Sequence, residues 1–437
     1  MDLPCSASAT SVRQEAPLPP ATTTTSATRF SLAVIIGMSF LLTLVQVASL
    51  SFFSPKTSFF ERYLDGTYHW DSNFYFGIAI NGYQLTKITP NIAFPPGYPL
   101  TIRIVNSLLP FHQTDISMHL VMLLISQFSM WGVWIYLLLI LRRWCISVGT
   151  TAMAIIAILT YPSAFYLTIG YSESLFVMMM LGFLFWVQAK RQGHWFLAAL
   201  HGLVLSATRN VGAIFAVYPL YSILAPSEKK NLRSPWDKVY RFLPAFLTSL
   251  FSLLGIGLFL LFIQWKFGDW RLFFSERKAW GETGFHITNM VDLRFYRFLP
   301  PFTPDGRLNM QNIPRDAMPC ILYFFLLLVA TDFLCSMFLK KGGWGLRLGL
   351  YILSALMLLV YISMNNVTGP IFPSMMRFSF TAYVLLVLAA AHLFQQFRLT
   401  FWTKLTVTIV LLFIFNISFL LQGASAITFL REAMYVG

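Results

Sequence analysis

The chain is a succession of apolar stretches, each close to the roughly 20 residues that an α-helix needs to cross a bilayer. These stretches recur from residue 30 to residue 422 and are separated by short polar segments. The sequence is 57% hydrophobic and 11% charged, whereas soluble domains are roughly 25% charged. A water-soluble fold of 437 residues could not bury so much apolar surface. The pattern therefore predicts an all-α polytopic membrane protein.

The apolar stretches predict about eleven membrane helices when one interrupted stretch is counted as two. The interruption is Thr208-Arg209-Asn210. The expected spans are 30–53, 115–141, 148–169, 174–189, 195–224, 239–265, 317–339, 346–363, 377–396 and 401–422. Residues 1–28 are rich in Pro, Ser, Thr and Ala, which predicts a disordered cytoplasmic tail before one membrane domain over 29–437.

The basic residues indicate the orientation in the membrane. They give a net charge of +14 but lie in short clusters rather than in one patch that could bind nucleic acid. Arg142-Arg143, Lys190-Arg191 and Lys340-Lys341 fall on one side if the tail is cytoplasmic, as the positive-inside rule requires. The loops 54–114 and 266–316 are then on the outer face of a bacterial or archaeal plasma membrane, or in the lumen of the endoplasmic reticulum in a eukaryote. Short surface helices are expected in the first of these loops because it contains several Pro and Gly residues.

The first outer loop carries the most distinctive polar sequence, HWDSNFYF at residues 69–76. A carboxylate at a membrane face, surrounded by aromatic rings and amides, suits the binding and deprotonation of a sugar-like hydroxyl. Asp71 is therefore the candidate general base. The alternative is that Asp71 caps the helix that follows it, because Asp is a favoured N-cap residue. The residues of this loop expected to contact the substrate are His69, Trp70, Asn73 and Tyr83.

Three further charged residues lie near the predicted outer ends of membrane helices. Glu173 could orient a substrate hydroxyl or cap the helix beginning near Ser174. Arg209 interrupts apolar sequence at membrane depth, where an ionisable group is costly and suggests function. Its structural alternative is a pairing with Glu173 or with a helix-end carbonyl. Arg377 could be a phosphate clamp or an interfacial anchor.

The second outer loop contains Arg277 and Trp280 within the segment ERKAWG, residues 276–281. Basic groups beside aromatic rings suit a lipid phosphate and its sugar. An amphipathic helix lying on the membrane surface is the alternative.

Several kinds of chemistry are disfavoured. None of the 17 acidic residues forms the Asp-x-Asp pair that would hold a metal against a nucleotide-sugar, and there is no Walker loop or His-Glu-x-x-His motif. The four cysteines are scattered without paired spacing. We therefore predict no metal and no cofactor. Asp332 lies inside a span and receives no role, since water or Lys340 could satisfy it.

The chain resembles the PIG-V family, which comprises the second GPI mannosyltransferase and its prokaryotic relatives. The matching segments, in chain order, are 69–71 (HWD), 81–83 (NGY), 93–99 (AFPPGYP), 162–163 (PS), 170–176 (GYSESLF), 207–210 (ATRN), 268–281 and 374–377. Two positions depart from the family pattern: Pro95 stands where an aromatic is usual, and the turn after Arg209 is shortened to Asn210-Val211-Gly212.

The resemblance implies a GT-C glycosyltransferase that moves mannose, with inversion, from a polyprenyl or dolichyl phosphate. Asp71 would deprotonate the acceptor hydroxyl. Arg209, Arg277 and Arg377 would stabilise the departing lipid phosphate. The rings expected to stack on sugar faces are Trp70, Tyr83 and Trp280. The implied partners are membrane lipids, the lipid-linked donor and a glycan or glycolipid acceptor, with no nucleic acid; a small membrane subunit is left open.

The acceptor is not named by these patterns. A GPI precursor is expected in a eukaryote and a cell-envelope glycan, glycolipid or protein in a prokaryote, and the similarity around 268–281 and 374–377 favours a prokaryotic member. Two alternatives remain: a transporter or flippase of lipid-linked sugars, for which only the break at Arg209 fits, and a non-catalytic membrane scaffold of the same fold.

Overall fold

The computed structural model describes residues 31–52, 68–85, 91–109, 115–189, 193–224, 235–277, 285–292, 313–339, 344–364, 375–397 and 401–432. Within these ranges every regular element is a helix. The α-helices are α1 (Leu32–Phe52), α2 (Asp71–Asn81), α3 (Gly97–Leu108), α4 (Asp115–Arg143), α5 (Val148–Leu159), α6 (Glu173–Val187), α7 (His194–Thr208), α8 (Val217–Leu224), α9 (Pro235–Phe267), α10 (Leu272–Ser275), α11 (Ile313–Leu339), α12 (Trp344–Ser363), α13 (Met375–Phe394) and α14 (Phe401–Glu432). The predicted tail over 1–28 lies outside the described residues.

Seven of the described helices are long and apolar enough to cross a membrane. They are Leu32–Phe52, Ser117–Arg143, Phe242–Phe267, Pro319–Phe338, Trp344–Ser363, Met376–Phe394 and Thr406–Ile427. The prediction of an all-α polytopic membrane protein is confirmed, and short helices α2 and α3 lie within the predicted first loop as expected. The count of about eleven spans is not confirmed, because other apolar segments form shorter helices such as α5, α6 and α7.

The predicted span 148–169 ends early for a clear reason. Pro162 has no backbone N–H and cannot continue a helix, and α5 stops at Leu159. The chain then forms a short 3-10 helix, Ala164–Leu167, which lies against the start of α13. The Ser163 hydroxyl donates to the Met376 carbonyl over 2.9 Å. The break therefore links the segment before α6 to the first turn of α13.

The main buried hydrophobic cluster is formed chiefly by α4, α5, α6, α7, α12 and α13, and α9 packs against α7. Small residues allow α7 and α9 to approach closely: a Cβ at Gly255 would collide with the Leu203 carbonyl, and one at Gly202 would collide with Ser252. Small residues at helix contacts are a common basis of packing in membranes, where the lipid is as apolar as the side chains.

A buried ion pair joins α11, α12 and α13 at the end of α13 away from Arg377. Arg347 donates to both carboxylate oxygens of Asp332, at 2.6 and 2.8 Å, and Tyr351 donates to the same carboxylate over 2.9 Å. Arg347 also lies 3.0 Å from Nδ1 of His392. Lys340 or water was expected to pair with Asp332. This expectation was wrong, because the partner of Asp332 is Arg347. Because both charges are buried, each depends on the other.

Candidate active site

Four charged side chains form a row in which acids and bases alternate. Nη2 of Arg377 donates to Oδ2 of Asp71 over 2.6 Å. Nε of the same arginine lies 2.9 Å from Oε1 of Glu173. Nη1 of Arg209 donates to that same Glu173 oxygen over 2.9 Å. We call these four residues the charge row.

The charge row lies where four helix ends meet. Asp71 is the first residue of α2 and Glu173 is the first residue of α6. Arg209 directly follows α7, and Arg377 lies in the first turn of α13. Asp71 and Arg377 are 306 positions apart in sequence. The row therefore depends on the whole bundle rather than on any one segment.

Exposure differs along the charge row and shows the direction of access. The Asp71 side chain is 18% exposed, whereas those of Arg377, Arg209 and Glu173 are 9%, 10% and 1% exposed. Buried charges are tolerated when they are paired, which accounts for the two arginines that share Glu173. Asp71 is therefore the most accessible member of the charge row.

Glu173 holds the two arginines close to each other through a single oxygen. Its other oxygen, Oε2, is buried and has no hydrogen-bond partner among the described residues. The Nε of Arg377 contacts Oε1 as an ion pair without hydrogen-bond geometry. The Phe378 ring contacts both cations, with its centre 4.9 Å from Cζ of Arg209 and 5.0 Å from Cζ of Arg377. The pairing of Arg209 with Glu173, which was the structural alternative for Arg209, is present, and the pair belongs to a larger cluster.

Aromatic rings surround the Arg377 guanidinium. Its Cζ lies 5.4 Å from the ring centre of Tyr166 and 5.2 Å from that of Tyr171, in addition to the Phe378 contact. Such contacts are electrostatically favourable to a cation. They leave Asp71 as the exposed partner of Arg377.

Three hydrogen bonds attach the start of α2 to the segment 170–172. The Tyr171 hydroxyl donates to the His69 carbonyl over 2.8 Å, and the Ser72 hydroxyl donates to the Gly170 carbonyl over 3.0 Å. The hydroxyls of Tyr75 and Ser172 are 2.9 Å apart. Burial, followed by the nearby Asp71 charge, raises the pKa of Tyr171 and the pKa of Tyr75 well above their usual value. Both phenols are therefore protonated at neutral pH.

Trp70 occupies a strained backbone conformation directly before the candidate base. Its φ of 53° and ψ of −114° lie in a region that residues with a side chain rarely adopt. Trp70 is 45% exposed, and Asn73 on the first turn of α2 is also exposed. His69 is partly buried, with its ring centre 6.1 Å from that of Phe429. Strain of this kind often occurs at functional sites.

Asp71 is not the N-cap of α2. The helix begins at Asp71 itself, and the N-cap residue is Trp70, which makes no side-chain capping bond. The Asp71 carboxylate instead accepts from Arg377. The capping alternative is therefore wrong. Glu173 likewise begins α6 and uses its carboxylate for the two arginines.

The other predicted contacts lie further from the charge row or outside the described residues. Tyr83 is buried in an aromatic cluster, and its hydroxyl donates to the Phe94 carbonyl over 2.8 Å, which is a packing role. The Arg277 guanidinium lies over the Phe273 ring of the same cluster, 5.3 Å from the ring centre. Trp280 lies outside the described residues.

Gly97, the first residue of α3, supports the position of Arg209. A Cβ at Gly97 would lie 2.7 Å from the backbone of Ala207 and Thr208, just before Arg209. The first loop therefore packs directly on the end of α7, and only a residue without a side chain fits this contact.

Sequence reasoning missed the aromatic residues of the site. Tyr166, Tyr171 and Phe378 contact Arg377, and none was proposed as a site residue. Two of them had a signal, because Tyr171 belongs to the GYSE segment and Phe378 is adjacent to Arg377. Among the described residues no group of three or more His, Cys, Asp or Glu side chains could hold a metal ion. The expectation of no metal stays a prediction.

The fold is shared with two solved structures of an oligosaccharyltransferase from Archaeoglobus fulgidus. The apo form has 11% sequence identity and a TM-score of 0.50, and the match covers 92% of this chain and 56% of that chain. AglB in complex with an inhibitory peptide and a dolichol-phosphate has 12% identity and a TM-score of 0.50, over 90% of this chain and 56% of that chain. This chain thus spans just over half the length of these proteins. The fold is the GT-C fold of membrane glycosyltransferases.

The sequence model described as Mannosyltransferase (PIG-V) matches residues 33–280, just over half of the chain. The protein belongs to the PIG-V mannosyltransferase family and is an integral membrane protein. The matched region contains Asp71, Glu173 and Arg209, and Arg377 lies beyond it. No curated protein shows a significant sequence match to this chain.

Proposed function

We propose that the protein transfers mannose from a polyprenyl or dolichyl phosphate to a hydroxyl group, with inversion and with Asp71 as the general base. The acceptor is a lipid-linked glycan, a GPI precursor or a cell-envelope molecule. The observation that carries the proposal is the charge row of a PIG-V family member: the partly exposed Asp71 pairs with Arg377, which shares the buried Glu173 with Arg209.

In the proposed reaction the acceptor hydroxyl attacks the anomeric carbon of the donor sugar. The new bond joins the acceptor oxygen to this carbon, and the bond from the carbon to the phosphate oxygen breaks with its electron pair on the phosphate. The hydroxyl proton passes to Asp71. Inversion requires the base and the leaving phosphate on opposite faces of the sugar. This step uses no nucleotide and no redox partner.

The arginines of the charge row suit the departing phosphate. As the bond breaks, negative charge grows on the lipid phosphate. A fixed hydrogen-bond donor or cation typically stabilises such a charge by about 3 kcal/mol. Arg377 and Arg209 are already oriented by Glu173 and by the Phe378 ring. Their orientation therefore requires little rearrangement during the reaction.

The groups beside Asp71, of which Trp70 and Asn73 are exposed, suit a sugar. The ring of Trp70 can stack on a sugar face, and Asn73 and His69 can hydrogen-bond hydroxyls. Arg277 and Trp280 are proposed to contact the donor from the second loop. An active site on the outer or lumenal face is proposed from the basic clusters. One archaeal structure of this fold was determined with a dolichol-phosphate, the lipid class proposed here as the sugar carrier.

The proposal is tested by incubating the purified protein with polyprenyl-phosphate-mannose and a membrane lipid extract. Mass spectrometry should detect an acceptor that gains one hexose, together with release of polyprenyl phosphate. The Asp71→Asn variant should lose this transfer, and Asp269→Asn is its matched control. Asp269 is an exposed acid of the second loop, and an Asn side chain in its place still offers an oxygen to the Arg271 amide. If the protein consumes no donor, the proposal is contradicted. Movement of the donor across vesicle membranes without transfer would also contradict it and would favour a flippase.

A further inference from the structure

We infer that Arg377 is exchanged between two anions: Asp71 holds it in the free protein, and the phosphate of the lipid donor takes it over on binding. Asp71 then becomes a stronger base when the donor is present. This inference rests on the proposed function and concerns the same site. It adds an order of events that the proposed reaction does not require.

The contact between Asp71 and Arg377 conflicts with the role of a base. Nη2 of Arg377 donates to Oδ2 of Asp71 over 2.6 Å, a short charge-assisted hydrogen bond. This bond occupies one lone pair of Oδ2 and lowers the basicity of the whole carboxylate, although Oδ1 can still accept a proton. A general base must approach the acceptor hydroxyl to within about 2.6–3.2 Å. Release of Arg377 would therefore make Asp71 a stronger and more mobile base.

Of the groups that contact Arg377, Asp71 is the one that a solvent-borne anion can replace. Glu173 is 1% exposed and begins a buried helix, whereas Asp71 is 18% exposed. The rings of Tyr166, Tyr171 and Phe378 lie about the guanidinium and fix its position. An incoming phosphate consequently reaches Arg377 from the side that Asp71 occupies, and the Asp71 side chain must turn away so that the sugar lies between its carboxylate and the phosphate.

The charge of the row supports this exchange. Two carboxylates balance two guanidiniums, so the four side chains have no net charge. A phosphate that binds there must compete with a carboxylate instead of filling an unpaired positive site. The removal of the Asp71 charge should therefore strengthen the binding of the lipid phosphate, although it removes the base.

The test measures the binding of polyprenyl phosphate without sugar to the full chain in nanodiscs. Asp71→Asn should bind this lipid roughly fivefold more tightly than the unchanged protein, the upper end of what a partly exposed ion pair contributes. Asp269→Asn, which removes an exposed acid elsewhere, should leave the affinity unchanged. In an Arg377→Gln background the substitution Asp71→Asn should give no gain. Asp71→Ser repeats the measurement if Asp71→Asn does not fold.

The outcomes separate this inference from the proposed function. Equal affinities of the unchanged protein and Asp71→Asn would overturn the exchange while leaving lipid-phosphate binding intact. A gain that persists in the Arg377→Gln background would also overturn it, because the effect would then be a general charge effect. If the unchanged protein and Asp71→Asn both fail to bind polyprenyl phosphate, the proposed donor class is wrong and the exchange falls with it.

Discussion

Substitutions of Arg209 and Glu173 should have non-additive effects on the free energy of unfolding, because the two side chains form a buried ion pair. Arg209 is 10% exposed, and its Nη1 donates to Oε1 of Glu173 over 2.9 Å. Arg209→Met leaves two carboxylates against the single cation of Arg377. Removal of one partner of a buried pair costs about 3–5 kcal/mol, and we expect about 3 kcal/mol here because Arg377 still contacts Glu173.

The double variant should lose less than the two single variants suggest. Arg209→Met combined with Glu173→Gln leaves Asp71 and Arg377 as a balanced pair. We expect a loss of about 1 kcal/mol in the double variant, because no buried charge is left without a partner. Each single variant should lose more than the double variant.

The free energy of unfolding is measured by denaturant titration in detergent for the two single variants, the double variant and Arg103→Met. Arg103 lies exposed on α3, and its replacement should change stability by less than about 0.5 kcal/mol. Additive losses in the double variant would refute the coupling. If the double variant regains stability but has no transfer activity, the pair also serves the reaction.

Three further outcomes are expected. Gly97→Ala should lower both stability and transfer because its Cβ meets the backbone at the end of α7, whereas Gly77→Ala, which meets nothing within 4 Å, should be neutral; thermal melting and a transfer assay on both variants check this. Trp70→Gly should be more stable than Trp70→Ala by about 1 kcal/mol, because glycine accepts the positive φ, and equal melting curves would contradict the strain. Asp332→Asn should destabilise the protein by about 3 kcal/mol because Arg347 remains buried, and an unchanged free energy of unfolding would show that the pair contributes nothing.

The fold class was predictable because many of the apolar stretches are about as long as an α-helix that crosses a bilayer. The number of helices was only partly predictable, since local breaks decide it: the division at Arg209 was expected from its polar turn, whereas the early end of the span before Pro162 was not. Both breaks lie at the site. Irregular backbone in a membrane protein is tolerated where it is buried in protein or lines a cavity.

The charged residues of the site were predictable one at a time but not as a row. Asp71, Glu173, Arg209 and Arg377 were each unusual in an apolar chain, and only the Glu173–Arg209 pair was considered. The contact between Asp71 and Arg377 joins residues 306 positions apart, which no local pattern encodes. Aromatic residues were harder still, because rings that pack in the core and rings that bind a cation have the same local sequence.

Tyr83 illustrates the same difficulty in the opposite direction. Its place in the loop, close to the candidate base in sequence, suggested a sugar contact. The structure buries it with its hydroxyl bonded to the Phe94 carbonyl. Proximity along the chain was a poor guide there, because α2 carries Asp71 at its first residue and ends two residues before Tyr83.

The central claim is that Asp71 removes the proton of the acceptor hydroxyl during transfer from a lipid phosphate. The most direct measurement is single-turnover transfer of labelled mannose from polyprenyl-phosphate-mannose by Asp71→Asn and by Asp269→Asn in nanodiscs. We predict that the Asp71 variant inserts and folds normally but loses transfer by about 10²–10⁴-fold, with the Asp269 variant unaffected. Near-normal transfer by the Asp71 variant would contradict the claim.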